Sequence, residues 1–512
     1  MTWSMTESSS VEEVYKQLVD LVESPEEPKG IPFSERIPSP KCLNDRIAIV
    51  GAGPAGIHMA YLLKKKGFQN IVVLEKSKRV GGKSLTITHR DTAHDLGACC
   101  TQPDFEDNVQ ALAEEFGLWE PAKMPPFNVW LDKLSTSISY SSYVLPEAMK
   151  LAETNDPKVA TEKLFMALLK YIRLHREFFG KYKGELMRKP TLRVMNLVNC
   201  TFLEFIEKND LTMLKPIFII SHTGEGFGHL DEISALYGLI WNTPHLLKGM
   251  AGAMFSGESP FNTIKGGYQK LWEKIQTYEN IDVRFDVDIS RIYRRNDKVL
   301  IKYSTSRDWA EFDFLIWTPS VYATLHLIDP SEKEKELFSG FTTAWCTTTL
   351  FDSMYGNRGD SPVDFWFSTI EKKRWDAVWE QRDSYGTYNN YYGPEYQNGS
   401  LPGGPDGQYI RTAVAYQYGK EKPDESTLDE IFRQHYTSMN ASEIKVIHRE
   451  IWEYFPRFSP QKMASGALWD IFDNQGSRRT WFAGSSVIVE SLKSVLEYNK
   501  LLVSKMTEGM SC

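Results

Sequence analysis

Cysteine is scarce in this chain, and its six cysteines are scattered over 512 residues. No C-x-x-C pair and no cysteine–histidine spacing of a metal site is present, so the sequence predicts neither a metal ion nor a disulfide framework. Isolated cysteines of this kind are typical of reduced thiols. We therefore expect a cytoplasmic protein.

Basic charge and long apolar runs are lacking as well. Lys and Arg total 59 against 67 Asp and Glu, which gives a formal net charge of -8. A nucleic-acid-binding protein normally presents a basic face, so no nucleic-acid partner is expected. The apolar run Ile217–Ile220 is far shorter than the roughly 20 residues of a membrane span, and the polar N-terminus has no apolar signal core. We expect no membrane span.

Aromatic residues are abundant, at 13% of the chain with 14 Trp and 24 Tyr. Such side chains combine apolar area with polar tips, which suits the wall of an apolar ligand pocket. An aromatic-rich core gives the same composition, so this observation leaves both interpretations open.

A strand–turn–helix–strand pattern follows the first forty or so residues. The apolar run 46–50 leads into Gly51-Ala-Gly-Pro-Ala-Gly56, an apolar helix follows to Lys66, and a strand at 70–74 ends in Glu75. Glycines at this spacing allow a tight turn and let a pyrophosphate approach backbone N–H groups at the helix N-terminus. Glu75 stands where a carboxylate binds the ribose diol. The pattern therefore predicts a dinucleotide site.

Only one such fingerprint is complete. Gly224-Glu-Gly-Phe-Gly-His229 has glycines but no strand–helix context, so we interpret it as a loop and His229 as a structural residue. A separate NADPH domain is not expected. The electrons of a redox step must then come from the substrate.

Further segments resemble the FAD-dependent amine oxidase superfamily. Glu75 is followed by Arg79-Val-Gly-Gly82, and His94-Asp-Leu-Gly-Ala98 resembles the segment that approaches the flavin ring. The runs 281–292 and 314–319 resemble strands of the FAD domain, the first holding the adenine near Val287. The run 481–485, with a helix at 487–502, resembles the closing motif. The cofactor-binding residues that the motifs and the resemblance indicate are Gly51, Gly53, Pro54, Ala55, Gly56, Glu75, Lys76, Arg79, Gly82, Lys83, Gly97, Ala98, Val287, Gly484, Ser485 and Val495.

Within this superfamily the chain resembles the polyenoic fatty acid isomerases over residues 46–505, including the runs 226–239, 450–460 and 477–484. The resemblance implies a redox-neutral reaction on a polyunsaturated fatty acid. Oxidised FAD takes a hydride from a bis-allylic methylene and returns it at another carbon, which gives conjugated double bonds. The protein supplies position and a dry, apolar slot, and no catalytic side chain is assigned. FAD is expected to be non-covalent, because the cysteine that anchors it in some superfamily members is missing around 454–456.

The expected substrate contacts depart from the family pattern. The bacterial isomerase holds the fatty-acid carboxylate with an arginine in the segment that matches 121–129, but this chain offers only Lys123 there, which lacks the bidentate fork of arginine. An aromatic residue forms a wedge in the substrate pocket of that enzyme, and in a loose alignment it falls near Met250 of this chain. In the closing motif Ser485 replaces the usual acidic residue, which alters the ribitol contacts.

Two other hypotheses stay open. A flavin oxidase or desaturase of an amine, a terpenoid or another lipid would share the hydride-abstraction step. Amine oxidases place a lysine near flavin N5, but the matching positions 311–313 contain none, and Ser491 or a neighbour replaces one wall of their aromatic cage. The second hypothesis is a non-catalytic flavin-binding partner protein, which would dock through the acidic N-terminal extension at 1–43.

The expected fold class is α/β, with an FAD-binding Rossmann-like domain of the amine oxidase type and a discontinuous substrate domain of helices and a mixed sheet. The N-terminal extension at 1–43 forms either a packed helix or a free arm. We expect the FAD-binding domain from residues 44–103, 255–325 and 470–507, and the substrate domain from residues 104–254 and 326–469.

Overall fold

A five-stranded parallel sheet forms the dinucleotide-binding half of the molecule, which we describe from a computed structural model. The structure describes residues 9–34, 37, 40, 42–119, 122–123, 128–131, 137–182, 184–256, 260–355, 363–383 and 409–508. The strand order in the sheet is Thr480–Phe482, Phe314–Trp317, Ile47–Val50, Ile71–Leu74 and Asp282–Arg284. Strands 47–50 and 314–317 are buried along their whole length, as is expected of parallel strands covered on both faces.

Helices cover this sheet. Helix Pro54–Lys65 follows the first strand, and helices Tyr268–Tyr278 and Leu492–Thr507 pack against it. The smaller sheets of the molecule are the antiparallel set Ile289–Arg294, Val299–Tyr303 and Trp309–Phe312, the hairpin of Thr86–His89 with Thr92–Asp95, and the pair Ala122–Lys123 with Asn262–Thr263.

A seven-stranded mixed sheet forms the other half. Its order is Ala441–Arg457, Thr342–Tyr355, Tyr409–Gly419, Val378–Asp383, Val363–Trp366, Asn128–Trp130 and Ile138–Ser139. Helix Glu425–Ser438 covers one face, where the rings of Phe351 and Phe432 meet edge to face at 5.0 Å. The opposite face lies against residues 95–100, because the Thr348 hydroxyl donates to the Leu96 carbonyl oxygen at 2.8 Å. One face of this sheet therefore borders the segment expected beside the flavin.

Helices dominate residues 140–256. These helices are Tyr140–Leu151, Pro157–Phe179, Leu192–Leu197, Phe202–Lys208, Lys215–Phe218, Ala235–Trp241 and Pro244–Ser256. The shorter helices elsewhere are Ala111–Glu115, Val321–Thr324, Glu332–Leu337, Phe367–Glu371, Pro460–Ala464 and Ala467–Asp473. The predicted α/β class, with a parallel sheet, a helical part and a mixed sheet, is confirmed. The predicted domain boundaries stay predictions.

Helix Ser9–Glu23 resolves the choice between a packed helix and a free arm. Its buried side chains belong to the main hydrophobic core and are Val11, Val14, Leu18 and Val22. The Tyr15 ring lies 4.8 Å from Phe255 and 6.4 Å from Phe165, so the helix packs on helices 157–179 and 244–256. Residues 9–23 are thus part of the folded body.

Two predicted elements are wrong in detail. The run 281–292 is interrupted at Asp286, whose φ of 55° lies in the left-handed region, so Val287 sits between two strands. The closing helix begins at Leu492 and not near 487. Residues before it are held as a loop, since the Glu490 carboxylate accepts the Phe455 backbone N–H at 3.0 Å.

Two fully buried ion pairs join elements that are distant in the sequence. Lys493, in the first turn of the closing helix, pairs with Asp104, and both side chains have no exposed surface. Arg294 donates through both terminal nitrogens to the two Glu334 oxygens at 2.7 Å each, and neither side chain is exposed. Forming such a pair requires both charges to lose their hydration. Removing one partner strongly lowers the stability of the fold, because the other charge stays buried and unpaired.

We expect Arg294→Met to lower the apparent free energy of unfolding by about 3–5 kcal/mol, because Glu334 would stay buried without its cation. Urea titration followed by circular dichroism measures this loss. Lys298→Met is the matched control: its pair with Glu311 is partly exposed, and surface pairs contribute about 0–1 kcal/mol. Equal losses in the two variants would contradict the prediction.

Candidate functional site

The glycine-rich turn at 51–56 forms a cradle at the N-terminus of helix Pro54–Lys65. Gly51 has a φ of 96°, and a Cβ there would lie 2.5 Å from the Thr318 hydroxyl, so only glycine fits. No side chain caps this helix N-terminus, where Gly53 is the capping residue. The first-turn N–H groups of Ala55 and Gly56 are thereby left for an anion, which is the arrangement that binds pyrophosphate.

Gly53 and Gly82 face each other across this cradle. A Cβ on Gly82 would lie 2.9 Å from the Gly53 Cα, whereas a Cβ on Gly53 would lie 3.6 Å from the Gly82 Cα, an ordinary contact. Arg79 braces the turn, since its guanidinium donates to the Gly82 carbonyl oxygen at 2.8 Å. Two predicted motifs thus meet where a dinucleotide phosphate would need close backbone approach.

Glu75 connects three parts of the predicted site. Its carboxylate accepts the Ala52 backbone N–H at 2.6 Å and the Ser77 N–H at 2.7 Å. Its carbonyl oxygen accepts the Val287 N–H at 2.9 Å, so the predicted ribose and adenine residues are neighbours. Lys76 is exposed beside them.

Lys83 lies between the cradle and the closing motif. Its ammonium donates to both Glu490 oxygens, at 2.9 and 3.0 Å. Its carbonyl oxygen accepts the Ala98 N–H at 3.2 Å, and a Cβ on Gly97 would collide with that same oxygen. The segment 95–98 therefore packs directly against the segment 79–83.

The closing motif completes the cradle. Gly484 has a φ of 87°, and a Cβ there would lie 2.9 Å from the Thr318 carbonyl oxygen and 3.7 Å from the Ala55 Cβ. Ser485 begins a short turn, and Val495 is buried one turn into the closing helix. The structure brings the predicted cofactor residues from five parts of the chain together around one cradle, and their roles toward FAD stay predictions.

The residues present fit a dinucleotide cofactor. An uncapped helix N-terminus, a pair of facing glycines and a carboxylate at the end of the next strand are the features such a group requires. Within the described residues, no group of three or more His, Cys, Asp or Glu side chains is arranged to hold a metal ion. No helix in the same ranges is both long and apolar enough to cross a membrane.

A row of polar side chains lies on the inner face of the mixed sheet. Register places Cys346 opposite Tyr418 and Trp452, and Tyr416 opposite Glu380, and directly opposed residues share a face. The Trp452 indole N–H donates to the Leu96 carbonyl oxygen at 3.0 Å. This face therefore looks onto the segment 95–100.

Glu380 and Arg382 form an ion pair on this face. The Arg382 Nε lies 3.0 Å from a Glu380 carboxylate oxygen, and the residues are only 4% and 5% exposed. The Arg382 guanidinium stacks over the Tyr416 ring at 4.1 Å and contacts the Cys99 thiol. Arg382 thus links the sheet to the residue that follows Ala98.

Glu225 is held over the same region by its neighbours. Gly224 packs on the Phe365 ring, and a Cβ on Gly226 would collide with the Tyr418 ring. The Tyr454 hydroxyl donates to the Glu225 carbonyl oxygen at 3.0 Å. Since Phe365 pairs with Glu380 across the strands, Glu225 is placed above Glu380.

Burial dominates the electrostatics of this cluster. It raises the pKa of Glu225 to about 7, and burial together with the charge of Glu225 raises the pKa of Glu380 well above its ordinary value. The Arg382 guanidinium lies beside Glu380 as its ion-pair partner. Burial also raises the pKa values of Tyr416 and Tyr418 well above 10 and keeps both phenols neutral.

Partly exposed residues lie around this cluster. Cys100, Glu225 and Tyr454 are surrounded by protein, yet each keeps part of its surface accessible. The expected dry, apolar slot stays a prediction, and beside the segment 95–98 the inner face of the sheet is aromatic and carries the buried ionisable residues Glu380 and Arg382.

The two predicted substrate residues lie elsewhere. The backbone of Lys123 pairs with Asn262, and its side chain lies outside what the structure describes. Met250 is half-buried on helix Pro244–Ser256, which packs on the N-terminal helix. Both stay predictions. His229 sits in a loop as predicted, with its pKa lowered to about 4 by burial and its ring edge-on to Trp375 at 5.3 Å, which suits a structural role.

Sequence reasoning missed the inner-face residues. The alternations Glu380-x-Arg382 and Tyr416-x-Tyr418 place each pair on one face of its strand, and this signal was available. The pairing of these strands with each other, and the loop that brings Glu225 over them, are properties of the tertiary structure.

The fold and the site together define a flavin-dependent enzyme of the isomerase and oxidase class. A family model described as NAD(P)-binding Rossmann-like domain matches residues 49–116. The chain is 21% identical over 477 residues to the polyenoic fatty acid isomerase of Ptilota filicina, which covers 86% of this chain and 91% of that protein. It is 27% identical to an L-amino-acid oxidase of Sistrurus catenatus edwardsii, over 51% of this chain and 47% of that protein.

Solved structures share the fold. The CLA-producing fatty acid isomerase from P. acnes superposes with a TM-score of 0.74 and 20% identity, over 91% of this chain and 99% of that one. Wild-type putrescine oxidase superposes with a TM-score of 0.59 and 14% identity, over 91% and 98%. The resemblance to polyenoic fatty acid isomerases that the motifs indicated is confirmed, as is the amine oxidase type of fold.

We expect Gly53→Ala to weaken flavin binding at least about tenfold, or about 1.4 kcal/mol, because its Cβ makes only ordinary protein contacts but intrudes on the phosphate cradle. Fluorescence titration of the apoprotein with FAD measures the affinity, and thermal unfolding of the apoprotein should not change.

Gly56→Ala provides the contrasting variant. A Cβ there would collide with the Gly51 carbonyl oxygen, so the apoprotein itself should lose stability. If Gly53→Ala bound flavin as tightly as the wild type does, Gly53 would not belong to the cofactor site.

Proposed function

We propose that this chain is an FAD-dependent isomerase of polyunsaturated fatty acids that converts methylene-interrupted double bonds into conjugated ones. FAD is held non-covalently by the cradle around Gly53, Gly82 and Gly484. When bound, it supplies the hydride acceptor and donor for a bis-allylic carbon. The predicted cytoplasmic location belongs to the same proposal.

One observation carries this assignment: a curated fatty acid isomerase matches the chain over nearly the whole length of both proteins. The L-amino-acid oxidase match ends at about half of each protein. Among the solved structures, the fatty acid isomerase also superposes more closely than wild-type putrescine oxidase, with TM-scores of 0.74 and 0.59.

The geometry gives the protein a positioning role. Thr348 and Trp452 both bind the Leu96 carbonyl oxygen, at 2.8 and 3.0 Å, and so fix the segment 95–98 between the FAD motifs and the mixed sheet. The aromatic rings of the inner face provide a wall against which a flat polyene can lie. Holding a substrate in this way replaces translational and rotational freedom by a fixed approach to the cofactor.

A flavin oxidase or desaturase is the second candidate. It is favoured by the amino-acid oxidase relatives and by the buried ion pair of Glu380 and Arg382 beside the segment 95–100, which a hydrocarbon chain alone does not require. An oxidase leaves the flavin reduced after the first step and needs an external electron acceptor. The two candidates therefore differ in whether the flavin spectrum recovers without air.

Anaerobic mixing of the holoprotein with polyunsaturated fatty acids should produce conjugated-diene absorbance without lasting loss of the oxidised flavin spectrum. Both signals are followed in one diode-array experiment, with Gly53→Ala depleted of flavin as the inactive control. Lasting bleaching that air reverses with release of peroxide would contradict the isomerase and support an oxidase. No change of either signal with fatty acids, amines or terpenoids would favour a non-catalytic flavin-binding protein.

A further inference from the structure

One small antiparallel sheet has a side that faces solvent, and its strands are Ile289–Arg294, Val299–Tyr303 and Trp309–Phe312. On its inner side Ile292 and Ile301 are completely buried. Because side chains alternate along each strand and directly opposed residues share a face, the strand register also defines the outer side. The residues of this outer side, which we refer to as the small-sheet face, are Arg291, Tyr293, Leu300, Lys302, Trp309 and Glu311.

Two aromatic rings dominate the small-sheet face. Tyr293 and Trp309 are 40% and 38% exposed, and their ring centroids lie 5.3 Å apart. They belong to the two outer strands of the sheet, with Leu300 on the strand between them. Trp and Tyr combine a large apolar ring with a polar tip, and this combination concentrates them where a membrane meets water.

A basic side chain lies beside each ring. The Arg291 guanidinium carbon is 5.4 Å from the Tyr293 ring centroid, and the Lys302 Nζ is 5.5 Å from the Trp309 centroid. The Lys302 ammonium also donates to the Arg307 carbonyl oxygen. Neither Arg291 nor Lys302 forms a salt bridge with a described residue. Both charges are therefore available to an anionic partner.

The sign of the charge on this face is opposite to that of the whole chain. Glu311 is the one carboxylate that the three described strands place on the face, and the Lys298 ammonium pairs with it at 3.0 Å. Arg291 and Lys302 therefore leave the face positive, although the chain has a formal net charge of -8. The adjoining segments carry exposed charges of both signs, namely Asp288, Arg295, Asp297, Arg307 and Asp308. An anionic surface would attract this face and repel an acidic protein in most other orientations.

The size of the small-sheet face separates a membrane from a protein partner. Its strands have four to six residues. At about 3.3 Å per residue and about 4.8 Å between strands, the face covers roughly 200–300 Å². A stable protein interface buries about 800 Å² on each partner. A bilayer surface has no such minimum area, and each Lys or Arg close to an anionic bilayer strengthens binding about fivefold.

We propose that the small-sheet face is a docking surface for an anionic lipid bilayer. Tyr293 and Trp309 enter the headgroup region, while Arg291 and Lys302 lie against the anionic headgroups. The association is weak and reversible, because only two rings and two charges take part. This docking goes beyond the proposed function and does not depend on the identity of the substrate.

Co-sedimentation of the holoprotein with lipid vesicles tests the docking. We expect vesicles of phosphatidylcholine and phosphatidylserine at about 3:1 to bind at least about tenfold more tightly than vesicles of phosphatidylcholine alone, because two unpaired cations meet the anionic surface. About 1 M salt should remove most of this difference, since it shortens the Debye length to about 3 Å.

Two sets of substitutions separate the contributions of charge and ring. Arg291→Gln combined with Lys302→Gln should lower binding to the anionic vesicles about 25-fold, or about fivefold for each cation, and should leave binding to phosphatidylcholine unchanged. Trp309→Ser should weaken binding to both kinds of vesicle, because binding scales with the apolar area inserted.

The matched control lies on the neighbouring helix Tyr268–Tyr278. Lys274→Gln combined with Tyr278→Ser removes an exposed lysine and a tyrosine that is 73% exposed, but neither belongs to the small-sheet face. This variant should bind like wild type. The flavin spectrum and the thermal unfolding of every variant should match the wild type, because all the substituted side chains are at the surface.

Insertion of the Trp309 ring has a readout of its own. Doxyl-labelled lipid in the anionic vesicles should quench the tryptophan fluorescence of the wild type more than that of Trp309→Ser. Equal quenching in the two proteins would show that the ring stays outside the headgroup region and would overturn the inference.

Three results of the sedimentation would also overturn it: no binding to either kind of vesicle, equal binding to both, or equal losses in the control and in the small-sheet variants. Self-association in light scattering that Trp309→Ser abolishes would assign the face to a second copy of the chain instead. Failure of the proposed isomerase function would appear as a lack of conjugated product with the wild type, and vesicle binding would still be measured independently.

Discussion

The parallel pairing of strand 47–50 with strand 314–317 is the interaction on which the rest of the structure depends. It brings Thr318 to the end of the first strand, where the Thr318 hydroxyl donates to the Val50 carbonyl oxygen at 2.6 Å. Gly51 packs against that hydroxyl, and Gly484 packs against the Thr318 carbonyl oxygen. A single residue thus sets the distance between the glycine-rich turn and the closing motif.

The mixed sheet covers the segment 95–98 with a face that also carries charged side chains. Its outer face is apolar and packs under helix Glu425–Ser438, while its inner face bears Glu380 and Arg382. Burying these groups is costly, because both lose their hydration when they leave water.

Buried polar contacts hold the closing helix Leu492–Thr507 in place. Lys493 at the start of the closing helix pairs with Asp104, and the Asn499 amide donates to the Ala55 carbonyl oxygen at 2.8 Å. The closing helix is therefore anchored to both the helical region and the helix of the glycine-rich turn.

Local sequence determined the dinucleotide cradle, because its requirements are local: glycines where a Cβ would collide, a helix N-terminus without a cap, and Glu75 at the end of the next strand. It also determined the α/β class and the resemblance to fatty acid isomerases, since those motifs keep their order along the chain. The tertiary structure alone decided that the chain turns left-handed at Asp286, that the closing helix starts at Leu492, and that the extension packs as a helix. It also decided the polar inner face, where Glu225 and Glu380 meet. Their proximity depends on strand register and on a loop more than a hundred residues away, and no spacing within the sequence encodes a contact of that kind.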